Sequence, residues 1–193
     1  MKFTAVIFMA VFAAMKPSVY EKSPERVAVI SVAAERAQEK LLPHWRRAPE
    51  LLGGSIATAA IKESGLMEDT HSGERRGRAK EICLVQIHPT NRIWKRWAPS
   101  FESLAGVDLL STERCLLSGG QTLVLSLNYC HKRRFYTNWA QAMWTKYHYG
   151  NRCWLSPHAH GRTALMNKIA WTKWEPTEEA QRMIDDVLAK ENQ

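Results

Sequence analysis

Glu63 has the most suggestive setting of any carboxylate in this sequence. It follows an apolar stretch, residues 56–61, and stands two residues before Gly65, so a helix would carry it to its last turn and end at a glycine. A carboxyl at such a helix end is expected to lie half buried in a cleft wall, where low polarity favours the protonated form. Glycosidic cleavage needs a protonated carboxyl, because the departing oxygen must receive a proton as the bond breaks. An inverting hydrolase adds a second carboxylate across the bond, and the nearest candidates in the polar stretch that follows are Glu68, Asp69 and Glu74.

Other chemistries find weaker patterns. His148, Cys153, His158 and His160 are irregularly spaced for metal ligation, and no metal site is expected. No glycine-rich phosphate loop stands between a strand and a helix, which disfavours a nucleotide-dependent enzyme. Trp94-Lys95-Arg96-Trp97 and Lys132-Arg133-Arg134-Phe135-Tyr136 interleave basic and aromatic residues. Core tryptophans with solvated Lys and Arg between them are the first reading, sugar stacking the second and single-stranded nucleic acid the third.

Four ordered stretches surround Glu63. Ala59-Ala60-Ile61-Lys62-Glu63-Ser64-Gly65 ends a helix in Glu-Ser, Cys83-Leu84-Val85-Gln86-Ile87-His88-Pro89 is a short apolar run with one glutamine, residues 109–123 hold Gly119-Gly120, and Tyr147-His148-Tyr149-Gly150 follows. In this order they resemble the soluble lytic transglycosylase family, related to goose-type lysozymes, over residues 49–154, a little over half of the chain. The second stretch is similar to the family's Gly-Leu-Met-Gln-Ile-x-Pro and the fourth to its Tyr-Asn-Ala-Gly. Three departures stand out: Glu63 and Gln86 are several residues further apart than is usual, Cys83 replaces the customary Gly, and Cys115 stands where Asn is common.

The resemblance implies a mainly α, lysozyme-like helical domain with a deep glycan cleft and at most a very small β element. It implies cleavage of the β-1,4 bond between N-acetylmuramic acid and N-acetylglucosamine to 1,6-anhydromuropeptides, with Glu63 as general acid and then base. Ser64, Gln86, Tyr147 and Tyr149 would contact substrate. The expected partner is the peptidoglycan glycan strand, with no cofactor, no nucleic acid and a monomeric enzyme. A lysozyme-type hydrolase is the alternative, followed by a non-catalytic wall- or nucleic-acid-binding module. The basic loop around Gly77-Arg78-Ala79 would lie beside the cleft, within reach of wall carboxylates.

These residues need helices to place them. Ser23-Pro24-Glu25 signals a helix start, and Val27, Ile30, Ala34, Ala37 and Leu41 recur at helical spacing up to Pro43. A second helix starts at Pro49 and delivers Glu63, and a polar loop spans residues 70–80. Residues 82–87 read as a brief strand or one turn of helix. A third helix, capped by Ser111 or Thr112, runs to about Tyr129, its glycine pair suggesting close packing. Further helices are expected over 138–147, 161–172 and 177–190.

The chain has 193 residues, 45% of them apolar, and a net charge of +8, which suits one globular core and a polyanionic partner. Residues 1–14, a lysine followed by an apolar run ending in Ala13-Ala14, read as a signal peptide, too short to be a membrane span. Residues 15–48 then form an N-terminal helical extension, and residues 49–193 the catalytic domain. Export to the periplasm or medium favours two disulfides among Cys83, Cys115, Cys130 and Cys153. If one straight helix joins Cys115 to Cys130, they lie ~22 Å apart and do not pair. The preferred pairing is Cys83 with Cys115 and Cys130 with Cys153, and Cys83 with Cys130 and Cys115 with Cys153 stays open.

Overall fold

The computed structural model describes residues 2–133, 138–150 and 153–191. Among these the chain forms nine α-helices and no named strand: α1 (Ala5–Met15), α2 (Pro17–Lys22), α3 (Pro24–Leu41), α4 (Pro49–Ser64), α5 (Glu68–Ser72), α6 (Leu109–Lys132), α7 (Trp139–Tyr149), α8 (Pro157–Trp171) and α9 (Glu178–Glu191). The mainly α expectation holds, and the β content is one isolated bridge, Ile82 to Ile87.

Proline and glycine set the helix ends as expected. Pro24 and Pro49 occupy first turns, and α4 stops at Gly65, whose φ of 63° is left-handed. The Ser23 hydroxyl makes no cap bond, so proline alone marks the start of α3. Helix α6 begins a few residues earlier than expected, because the Asp108 carboxylate accepts a bond from the Ser111 amide at 2.9 Å.

Helix α3 packs on α6, α4 on α8, and α7 on both α6 and α8. Glycines permit the closest approaches. A Cβ at Gly119 would lie 2.6 Å from the Val85 side chain, and one at Gly54 2.7 Å from the Met166 carbonyl oxygen. The second obstacle is backbone and cannot rotate away, so Gly54 sets how near α8 comes to α4.

Residues 2–14 fall in the stretch read as a leader. They contribute α1, whose Phe8, Met9, Val11 and Phe12 are fully buried, and α1 packs against α3, α4 and α9. Gln38 of α3 receives the Phe3 amide and donates to the Phe3 carbonyl, closing the N-terminal end. Helices α1, α3, α4 and α6 share one apolar core. No helix among the described residues is long and apolar enough to cross a membrane.

Both disulfides follow the preferred pairing. Cys83–Cys115 and Cys130–Cys153 have Cα separations of 6.1 and 5.5 Å, and they close 32 and 23 residues of chain. Each loop of that length is worth about 3–4 kcal/mol through the entropy it removes from the unfolded chain. One bridge ties residues 82–87 to α6, and the other ties the end of α6 to the segment between α7 and α8.

His71, a residue that drew no notice in the sequence, holds the short helix α5 in place. It is fully buried, with Nε2 2.7 Å from Thr112 Oγ1 and Nδ1 3.3 Å from Arg26 Nη1. Thr112 gives its own proton to the Asp108 carbonyl, so His71 Nε2 must donate and Nδ1 must accept from Arg26. The ring is therefore neutral, and burial first, then the Arg26 charge, push it down to about 3.

A folded-state value below the unfolded one means that unfolding takes up a proton as pH falls below about 6.5. Stability carried by His71 is complete above that pH and declines toward pH 3. Between pH 7.5 and 4.5 the wild type is expected to lose roughly 2–3 kcal/mol through this residue. Urea unfolding at the two pH values, compared with His71→Asn, checks this, and equal losses in both proteins would exclude His71 as the source.

Candidate active site

Glu63 lies in the last turn of α4, carried there by a helix whose residues 51–61 are buried throughout. Its side chain retains 14% exposure, and it does not stand alone. Arg162 of α8 donates from Nε at 3.1 Å and from Nη2 at 2.7 Å, both to Glu63 Oε1. Arg162 is itself only 12% exposed, and its Nη1 turns back to the His158 carbonyl at 3.5 Å. Helix α8 can deliver this guanidinium because Gly54 admits it against α4, where the Ser55 hydroxyl also meets Met166 Sδ at 3.1 Å.

Across from Glu63, residues 82–87 form a tight hairpin. Ile82 and Ile87 exchange backbone bonds of 3.1 and 2.9 Å, and the Gln86 amide donates to the Cys83 carbonyl at 3.0 Å. Cys83 and Gln86 both take left-handed backbone, with φ of 67° and 51°. Each such non-glycine residue costs on the order of 1 kcal/mol and persists only where its surroundings hold it. The disulfide to Cys115 holds one, and the Gln86 side chain, donating to the Cys83 carbonyl at 3.1 Å, ties down the other. Cys83 thus occupies a conformation natural to glycine, the residue the resembling family favours there.

Tyr147 braces the hairpin from α7, its hydroxyl donating to the Val85 carbonyl at 3.1 Å. Burial, then the negative charge of Glu63, push that hydroxyl up, so it remains a proton-bearing donor at all physiological pH values. His148 is pushed down by loss of water on its cleft side, then by Arg162, which favours the neutral ring.

Glu63, Gln86, Tyr147 and His148 line one cleft of about 620 Å³, with Thr122, Leu125 and Ser126 of α6 also contributing. A smaller pocket of about 260 Å³ shares Glu63, Gln86 and Arg78 and adds Ser64, Arg75 and Arg76. The basic loop expected beside the cleft is therefore part of its lining. Tyr149 stands outside both linings, exposed, with its ring 6.4 Å from that of Trp154.

The acidic neighbour is a different residue from those considered in the sequence. Glu68 and Glu74 are exposed, Asp69 receives the Thr70 amide at 2.7 Å, and none of the three lines either pocket. Glu81 lines the main cleft instead. Its Oε2 accepts the Ala79 amide at 2.9 Å, and it folds over Gly77, where an added Cβ would collide with it and lie 2.7 Å from Gln86 Oε1. A glycine two residues before a basic alanine-lysine pair was a visible turn signal, but nothing in the spacing showed that the turn points Glu81 inward.

The metal-like cluster is otherwise engaged: Cys153 is in a disulfide, and His160 Nδ1 lies 3.2 Å from Gln141 Nε2. Among the described residues no group of three His, Cys, Asp or Glu could hold a metal ion. Of the first basic-aromatic stretch, Trp94 is buried while Lys95 and Arg96 are exposed; in the second, Arg134, Phe135 and Tyr136 lie outside the described residues. No protein-family model matches the chain, and no curated protein or solved structure is significantly similar to it.

Proposed function

We propose that this chain is a lytic transglycosylase of lysozyme-like fold that cleaves peptidoglycan, with Glu63 as general acid and base. The observation that carries the reading is the convergence of Glu63, Gln86 and Tyr147, from three separate segments, on one cleft. Two neighbouring features fit the same substrate. The cleft lining mixes polar residues such as Gln86 and Asn91 with apolar ones such as Ile87 and Leu125, and the adjoining pocket carries three arginines that suit the carboxylates of muramic acid and its stem peptide.

In the proposed cycle Glu63, which is paired with Arg162 in the free protein, acts from its protonated form and gives that proton to O4 of the departing N-acetylglucosamine as the C1–O4 bond breaks. The resulting carboxylate takes the proton of the muramic 6-hydroxyl, whose oxygen bonds to C1 and closes the 1,6-anhydro ring. Glu63 ends protonated as it began, so the cycle balances without a further reactant. The two disulfides and the basic surface suit a wall enzyme working in an oxidising compartment, the periplasm or medium.

Glu81 favours a second reading, hydrolysis, because a carboxylate in the cleft can activate water against C1. Mass spectrometry of products released from purified peptidoglycan by the oxidised protein separates the two. The expected products end in 1,6-anhydromuramic acid. Reducing ends would establish a lysozyme-type hydrolase, and binding without release would leave a wall-binding module.

A further inference from the structure

The Glu63–Arg162 pair joins the candidate acid to a helix outside the family-like segments. Its geometry is one-sided. Both guanidinium bonds end on Oε1, and no described residue bonds to Oε2. Three of the five Arg162 N–H groups are engaged within the fold, Nε and Nη2 on Glu63 and Nη1 on the His158 carbonyl of its own helix. Arg162 does not line either pocket, in contrast to the exposed Arg78, which lines both.

We infer that Arg162 is a positioning residue for the reaction: it anchors Glu63 by Oε1 so that Oε2 is the oxygen that carries the proton to the glycosidic bond and later takes one back. The inference rests on the transglycosylase reading above. A glutamate carboxyl on three rotatable bonds at a helix end samples several rotamers, whereas two N–H groups converging on one oxygen select one of them. The support is itself rigid. Arg162 stands one helical turn before Met166, the residue whose carbonyl Gly54 admits, so the α4–α8 contact that buries the core also fixes where the guanidinium meets Glu63. The neutral His148 and the Tyr147 hydroxyl, bonded to Val85, leave the anchoring to this cation.

Arg162→Met and Arg162→Gln, assayed on peptidoglycan beside the wild type and with circular dichroism as the control for folding, test the inference. Loss of the anchor is expected to lower kcat by roughly 10- to 100-fold, the scale of a misplaced reacting group, with KM changed less than about two-fold. Arg162→Lys restores a single donor and is expected to recover part of kcat. A folded Met or Gln variant with kcat within about two-fold of wild type, or one that loses only in KM, would overturn the positioning role while leaving the proposed activity standing. A folded wild type that releases no fragments overturns both.

Discussion

Glu63→Gln is expected to fold as the wild type does and to release no muropeptides from peptidoglycan. The amide keeps the carboxylate's shape, and its Oε1 can still accept the two Arg162 N–H bonds, so the α4–α8 contact survives. It has no acidic proton for the leaving oxygen and cannot take one from the 6-hydroxyl. General acid–base catalysis contributes about 10²–10⁴-fold, and a residue serving both half-reactions loses both contributions, so activity should fall by 10³-fold or more. Rate measurement on purified peptidoglycan, with thermal melting as the control for folding, gives the answer. A folded Gln variant with near wild-type turnover would remove Glu63 from the mechanism, and the cleft would need another acid, for which Glu81 is the remaining carboxylate in the lining.

Deletion of residues 2–14 is expected to abolish the native fold. In a chain whose leader is cut away after export, these residues would be dispensable. Here Phe8, Met9, Val11 and Phe12 have no exposed surface, and the Phe3 and Phe8 rings meet edge to face at 5.4 Å. Each such side chain is worth roughly 1.5–3 kcal/mol on burial, so losing four of them removes stability comparable to the whole of a typical domain's. The deletion would also bare the surfaces of α3, α4 and α9 on which α1 packs. The truncated protein should lack a cooperative thermal transition and bind hydrophobic dye. A cooperative transition within a few degrees of the wild type would mean that α1 is an accessory element. Mass measurement of the protein recovered from the exported fraction then tells whether α1 travels with the mature chain.

Parts of the site were legible because their signals are local. Pro49, the apolar run and Gly65 bracket α4 and place Glu63 at its end, since a helix start, a buried face and a left-handed stop depend on neighbouring residues. Helix length excluded one disulfide pairing, because it separates Cys115 from Cys130 whatever the rest of the chain does, and it left two pairings open. A missed local signal was Ser156-Pro157, the same Ser-Pro start that marked α3. Ser156 does cap α8, accepting the Ala159 amide at 3.2 Å, so α8 begins ahead of the expected Gly161.

By itself, then, the sequence determined the helical class, the position of Glu63 at a helix end and the close packing at the Gly119-Gly120 pair, and it excluded a bridge between Cys115 and Cys130. Tertiary structure alone decided that Arg162 reaches Glu63, 99 residues away, that Glu81 rather than Glu68, Asp69 or Glu74 enters the cleft, and that His71 is a neutral buried strut. It also decided that residues 5–15 are core, because an apolar run ending in small residues reads identically whether a membrane or a groove between α3, α4 and α9 receives it. The physical reason is common to all four. Helix ends and caps are set by bonds within a few residues, whereas charge partners and burial depend on which surfaces meet, and that is settled only when the whole chain packs.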